Sequence, residues 1–344
     1  IIVFIPIITS VVLTTFVFYQ TSWNIISKRL TQSVVADINV IIKLIDQDLP
    51  FQALEIAKED FKMKLLRHGG RGNERPGILD QDGHIRDLSS LVVDINGETL
   101  SNETLAWLRT QDFSSLPIVP NNTRLGPCVG NVGNIICIGL NYEDHAREAN
   151  LPIPAEPVMF MKATSAISGP YDDVIRPRGS DKMDWEVELA LVIGKRAAYV
   201  TEEQAEEHIA GYCIANDLSE RAFQFERGGQ WDKGKSCDTF APIGPWMVTR
   251  DEAGDMSDRA LWLEVNGHRY QDGTTAYMIF RPAFIIHYVS QFMTLMPGDI
   301  VITGTPPGVG FGLAPPVFLQ PGDVMTLGID GLGQQQTKVI DASE

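Results

Sequence analysis

The apolar residues of this chain follow two different patterns. Residues 1–19 form an almost unbroken apolar run, with no charged residue before Lys28. That length predicts a helix able to cross a bilayer. Beyond residue 62 the runs shorten and alternate with turn residues, which predicts strands. Ile135-Ile136-Cys137-Ile138, Leu189-Ala190-Leu191-Val192-Ile193 and Gly211-Tyr212-Cys213-Ile214-Ala215 are such runs. Gln81-Asp82-Gly83 marks a hairpin turn between residues 77–80 and 84–88, and Asn266-Gly267 a two-residue hairpin loop between residues 261–265 and 268–270. Pro297-Gly298-Asp299 and Pro321-Gly322-Asp323 each precede a β-branched run. Helices are few. Residues 101–109 predict a short one, Thr201 with Gln204 makes a capping-box pattern for a helix ending near Gly211, and residues 281–293 predict another.

The fold class is therefore mixed and β-dominated, a closed or rolled sheet whose loops at one end carry the chemistry. Three segments are expected: a hydrophobic segment with a membrane-spanning pattern (1–62), a small α+β module (63–120) and a catalytic domain (121–344). Residues 116–126, rich in Pro and Asn, read as the linker. With 344 residues the chain can build a real core. Its net charge of -16 leaves no basic surface for a phosphate backbone, so nucleic acid is discounted as a partner. Cys128, Cys137, Cys213 and Cys237 form no C-x-x-C pair, which points to reduced thiols in a cytoplasmic enzyme and away from a zinc site.

Residues 1–62 do not match the rest. A signal peptide fits poorly, because the run has no basic start and no small-residue cleavage site. The stretch around Phe18-Tyr19-Gln20-Thr21-Ser22-Trp23, Lys28-Arg29-Leu30 and Val35-Ala36-Asp37-Ile38 resembles the first membrane helix of bacterial sensor histidine kinases, yet no kinase core follows. The chain opens without a methionine, and Met63-Lys64-Leu65-Leu66-Arg67 reads as a fresh start. A gene fusion, a truncated upstream gene or a wrongly assigned start is expected. If residues 1–27 are expressed, they anchor the protein to a membrane. Lys28 and Arg29 favour a cytoplasmic flank and the kinase resemblance an outer one.

Candidate chemistry begins at Asp184-Trp185-Glu186-Val187-Glu188. Residues two apart on a strand point the same way, so Glu186 and Glu188 converge at the mouth of the apolar run that follows. Asp217 ends a second buried-looking run. Three carboxylates gathered in a dry cleft repel one another unless a cation neutralises them, and a hard divalent ion such as Mg2+ or Mn2+ is the simplest remedy. A lone Glu-x-Glu would otherwise read as a solvated edge. On a helical turn His145 and Glu148 face the same way, so the carboxylate can orient the imidazole as a general base. By composition alone, Lys233-Gly234-Lys235 is a solvated turn, and Gly304-Thr305-Pro306-Pro307-Gly308 lacks the ending of a nucleotide-binding loop.

Taken together, these residues resemble the fumarylacetoacetate hydrolase superfamily over residues 63–344. The motifs stand as Gly139-Leu140-Asn141-Tyr142 through His145 and Glu148, Phe160-Met161-Lys162, Glu186-Val187-Glu188, Asn216-Asp217 to Arg221 and Gln224, Lys233-Gly234-Lys235-Ser236 to Thr239, and Gly304-Thr305-Pro306-Pro307-Gly308-Val309. The resemblance implies a β-roll catalytic domain and a homodimer. It implies that Glu186, Glu188 and Asp217 hold Mg2+, Mn2+ or Ca2+, that His145 and Glu148 activate water, and that Lys235 stabilises developing negative charge. Tyr142, Lys162, Gln224 and Thr305 would lie around the substrate, and Arg221 would pair with a carboxylate of the metal shell. The founding enzyme's fourth carboxylate ligand corresponds to Ile138 here, which argues against fumarylacetoacetate itself.

The subgroup most resembled is bacterial and is labelled variously ureidoglycolate lyase, hydroxyheptadienedioate isomerase or 2,4-diketo-3-deoxy-sugar-acid hydrolase. The expected activity is metal-dependent hydrolysis of a carbon–carbon bond in a 2,4-diketo acid, giving pyruvate or a related 2-keto acid. Ureidoglycolate cleavage, oxaloacetate decarboxylation and enol-diacid isomerisation are the alternatives on one scaffold. A membrane-tethered organic-acid-binding protein is the rival of a different class, although the complete set of catalytic groups favours an enzyme.

Overall fold

The strand Val187–Ile193 is buried at every position, as a near-continuous apolar run requires when both faces of its pleat are covered. In this computed structural model, which describes residues 63–148 and 152–342, that strand lies inside a ten-stranded sheet. Its order runs Ile85–Asp87, Arg75–Leu79, Lys64–His68, Ala241–Thr249, Ile209–Asn216, Val187–Ile193, Ile300–Ile302, Ile135–Gly139, Val158–Lys162, with Ile167–Ser168 paired separately onto Ala241–Thr249. The sheet is mostly antiparallel, while Ile300–Ile302 runs parallel to Ile135–Gly139. A five-stranded sheet has the order His268–Thr274, Ala260–Val265, Val324–Ile329, Gly333–Asp341, Val174–Arg176. Leu261, Leu263, Met325, Leu327 and Val339 of this second sheet belong to the same buried core as the central strands.

Two buried glutamines tie the sheets together. Gln335 Nε2 donates to the carbonyls of Ile214 (2.9 Å), Pro242 (3.2 Å) and Gly244 (3.1 Å), where the pairing of Ile209–Asn216 with Ala241–Thr249 slips register. Gln271 accepts from Val187 N (2.9 Å) and donates to Thr305 Oγ1 and Pro306 O (both 2.8 Å). A long amide can satisfy several interrupted ladder groups that a sheet edge would leave open.

The expected strand-dominated class holds, and most predicted turns lie where their residues demanded. Asn266 and Gly267 both have positive φ, at 52° and 79°, which fits a tight hairpin. Ser101 caps the helix Asn102–Leu108 through Thr104 N, and Pro282 opens the helix Pro282–Ser290. The helix expected to end near Gly211 is shorter. It covers Glu202–Ala205, continues as a 3-10 turn over Glu206–His208, and gives way to strand at Ile209. Thr201 makes no side-chain cap to the backbone, and Gly211 lies inside the strand, where a Cβ would overlap the Val248 carbonyl. That glycine marks a close backbone approach instead of a helix end.

The stretch read as a linker, residues 116–126, runs along the first hairpin, with bridges between Arg86 and Ile118 and between His68 and Leu125. The hairpin strand Lys64–His68 itself pairs with Ala241–Thr249. The chain divides into the units Ile1–Asp60 and Phe61–Glu344, and the structure described belongs to the second. The hydrophobic run and its kinase resemblance lie outside the described residues, among which no helix is long and apolar enough to cross a membrane. All four cysteines are free thiols.

Replacing Gln335 with Leu keeps the volume but strips three buried carbonyls of their donor. Urea unfolding should show a loss of about 1–3 kcal/mol, and an unchanged midpoint would mean that the sheets do not depend on this amide.

Candidate active site

The acidic trio is assembled by strand ends. Glu186 immediately precedes Val187–Ile193 and Asp217 immediately follows Ile209–Asn216, two strands that pair antiparallel with Ala215 opposite Glu188. The ends are cross-linked: Asp217 N donates to Glu186 O (2.9 Å) and Glu186 N to Asn216 Oδ1 (3.1 Å). Glu186, Glu188 and Asp217 are all buried, and one oxygen from each lies within 4.8 Å of the others.

Cations already surround part of this cluster. Lys235 Nζ bridges Glu186 Oε2 (2.5 Å) and Asp217 Oδ2 (2.7 Å), and Lys162 Nζ reaches Asp217 Oδ1 (2.5 Å) and Leu218 O (3.0 Å). Arg221 spans Asp184 Oδ2 (Nε, 2.8 Å) and Glu186 Oε1 (NH2, 2.7 Å). Four buried carboxylates, Asp184, Glu186, Glu188 and Asp217, thus face three cations among the described residues. The imbalance falls on Glu188, whose one recorded donor is the backbone N–H of Gly304.

The electrostatics follow from these contacts. Burial alone would raise the Glu186 carboxyl, but Lys235 and Arg221 hold it far below its usual range. Burial, and then the charges of Asp217 and Glu186, push the Glu188 carboxyl well above its usual range. Burial would lower the Lys235 ammonium, yet Asp217 and Glu186 raise it. A divalent cation fits this arrangement. The donor set is oxygen only, Glu188 makes no ion pair among the described residues, and three protein ligands would leave positions for water or substrate.

His145 and Glu148 lie on the short helix Glu143–Glu148. His145 Nδ1 is 3.1 Å from Glu148 Oε2, so with its proton on Nδ1 the imidazole donates to the carboxylate and keeps the Nε2 lone pair open. Glu148 is fixed in turn by the backbone N–H of Gly308, 3.1 Å from Oε1. Gly304 and Gly308 have φ of 97° and 100°, a region that favours glycine. The loop 304–310 thus aims N–H groups at Glu188, at Glu148 and, through Gly310 (2.7 Å), at Asp184.

A cavity of about 560 Å³ opens over the cluster. Its lining brings together His145, Glu148, Glu186, Glu188, Asp217 and Lys235, along with Gln224 and Thr305. Two expected substrate contacts are placed elsewhere. Tyr142 is fully buried with an unpartnered hydroxyl, and the Lys162 side chain is fully buried beneath Asp217; neither lines the cavity. Ile138 lines it as well.

Sequence reasoning missed two features. Asp184 was visible as the first member of the alternation with Glu186 and Glu188, and it anchors Arg221. The aromatic wall of Phe160, Trp231, Phe225 and Phe311 comes from three segments, one of them holding both Phe225 and Trp231, and carried no local signal.

Comparison with known proteins places this geometry. Residues 134–340 match the family model described as fumarylacetoacetate (FAA) hydrolase C-terminal. The chain belongs to the fumarylacetoacetate hydrolase family. A Burkholderia lata protein carrying the provisional name of hydrolase is 57% identical over 281 residues, 81% of this chain and 100% of that protein. Among solved structures, a fumarylacetoacetate hydrolase from Exiguobacterium antarcticum superposes with a TM-score of 0.74 at 37% identity, covering 81% of this chain and 100% of that one. A fumarylpyruvate hydrolase from Pseudomonas aeruginosa, solved with Mn2+ and pyruvate, gives 0.57 at 33% identity over 64% of this chain and 92% of that one. A 2-hydroxyhepta-2,4-diene-1,7-dioate isomerase from Mycobacterium marinum gives 0.66 at 31% identity over 82% and 100%. Family membership supports an enzyme acting on small organic acids.

The charge imbalance separates two otherwise similar variants. In chelator, Glu188→Gln should cost little stability, because it removes a carboxyl that has no ion pair among the described residues, and the amide oxygen can still accept from Gly304 N. Asp217→Asn strips Lys162 and Lys235 of a shared partner and should cost about 3–5 kcal/mol. Equal losses in denaturant titrations would contradict this assignment of charge. Glu188→Gln should also abolish any upward Tm shift produced by Mg2+ or Mn2+ in the parent chain.

Proposed function

We propose that this protein is a divalent-metal-dependent hydrolase that cleaves a carbon–carbon bond of a 2,4-diketo acid, releasing pyruvate or a related 2-keto acid and a second acid. The observation that carries the reading is the single cavity lined by both the Glu186–Glu188–Asp217 trio and the His145–Glu148 pair. Glu186, Glu188 and Asp217 would hold a Mg2+, Mn2+ or Ca2+ ion, which would supply Lewis-acid polarisation of the substrate's keto-acid oxygens. His145, oriented by Glu148, takes a proton from water through Nε2 and directs the resulting nucleophile at the 4-carbonyl. Lys235 donates two hydrogen bonds to carboxylates, so its third N–H is available to the oxyanion that forms there. Gln224 and Thr305 lie along the lining and orient the substrate.

The Pseudomonas relative's Mn2+ and pyruvate support the choice of metal class and product. The Mycobacterium isomerase favours a second reading, ketonisation of an enol diacid, because the same groups stabilise the same enolate charge. Product analysis separates the possibilities: pyruvate plus a second acid marks hydrolysis, an isomeric keto acid marks ketonisation, and urea plus glyoxylate marks ureidoglycolate cleavage. The family resemblance also supports a homodimer, which light scattering would register as twice the chain mass.

Turnover should vanish in excess chelator and return with Mg2+ or Mn2+; activity that survives chelation rules the hydrolase reading out. His145→Ala should lower kcat by about 10²- to 10⁴-fold while the divalent affinity read by calorimetry stays at the parent value.

A further inference from the structure

Four aromatic rings form a continuous wall on one side of the cavity. Phe160 and Trp231 meet edge to face at 5.4 Å and Trp231 and Phe225 at 6.0 Å, while Phe225 and Phe311 are tilted by 33° at 5.7 Å. Phe225 and Phe311 are 43% and 48% exposed at this rim, an apolar surface that a ligand would cover. Trp231 is seated by Gly139, whose missing Cβ would lie 2.9 Å from the indole.

The cations in the lining are already matched. Arg221 uses Nε on Asp184, NH2 on Glu186 and NH1 on Gln224 Oε1. Lys235 is held between Glu186 and Asp217, at the acidic end, and His145 faces Glu148. At the rim Glu226 pairs with Lys182 at 2.5 Å. Arg227, next in sequence, stacks over Phe223 at 5.1 Å and does not line the cavity. Among the described residues, no lining cation remains for a second anionic group on the substrate.

Resting on the reading of this cavity as a 2,4-diketo acid site, we infer that the acyl end of the substrate is an uncharged aryl or alkyl group and not a second carboxylate. The acid end sits over the acidic trio and its cation, and the acyl end lies against Phe225, Trp231 and Phe311. A distal carboxylate there would lose its hydration against aromatic faces and find no partner.

The test uses two ligands that lack the 4-carbonyl and so cannot be cleaved: 2-oxo-4-phenylbutanoate and its para-carboxylate. Titrated by calorimetry into the full chain with Mg2+, the phenyl compound should bind about tenfold more tightly or better, a gap near 1.4 kcal/mol. Phe311→Ala, at a position 48% exposed, should weaken the phenyl compound and leave 2-oxobutanoate unaffected. Equal or tighter binding of the carboxylated ligand, or no binding of either, overturns the inference. If 2,4-dioxo-4-phenylbutanoate binds with this preference but is not cleaved, the inference stands and the hydrolase reading fails.

Discussion

The structure depends on the way Lys235 bridges Glu186 and Asp217. Those carboxylates arrive at the ends of two adjacent strands that are buried along their whole length, so neither can escape to water. Like charges brought this close in a dry interior would drive the strand ends apart. Lys235, with Lys162 and Arg221, offsets most of that repulsion, and the remainder collects on Glu188. The fold is thus built to need one more positive charge at a defined place, and a divalent cation answers both the charge and the oxygen-only donor set.

Part of this was legible in the sequence because it is local. Period-two alternation brings Glu186 and Glu188 to one face, helical spacing joins His145 to Glu148, and Asn266-Gly267 dictates its own turn. Asp184 obeyed the same alternation, but its role depends on Arg221, far along the chain, which no local pattern announces. The aromatic wall was silent for the same reason: Phe160, Phe225, Trp231 and Phe311 are ordinary apolar residues until three segments converge. Gly211 misled in the other direction. A glycine after a capping-box pattern reads as a helix stop, yet the β-branched and apolar residues around it gain more from pairing with two neighbouring strands than from another helical turn.

The second sheet contributes more than a lid on the core. Gln271 reaches from it to the backbone of Val187 and to Thr305, so the strand that carries the acidic residues is braced at its mouth by an uncharged side chain from another layer. A neutral brace is suited to this place, because it satisfies backbone groups without adding a charge to an already crowded field.

The loop from Gly304 to Gly310 offers a backbone amide to Glu188 at one end and another to Glu148 farther along. The acidic trio and the His145–Glu148 pair are therefore tied to one short piece of main chain, whose glycines leave it little latitude for side chains. A displacement of that main chain as a whole would reach both carboxylates together. Variation has more room at the outer edge of the aromatic wall, at half-exposed Phe225, than at Phe160, whose ring lies 5.1 Å from Lys235 Nζ.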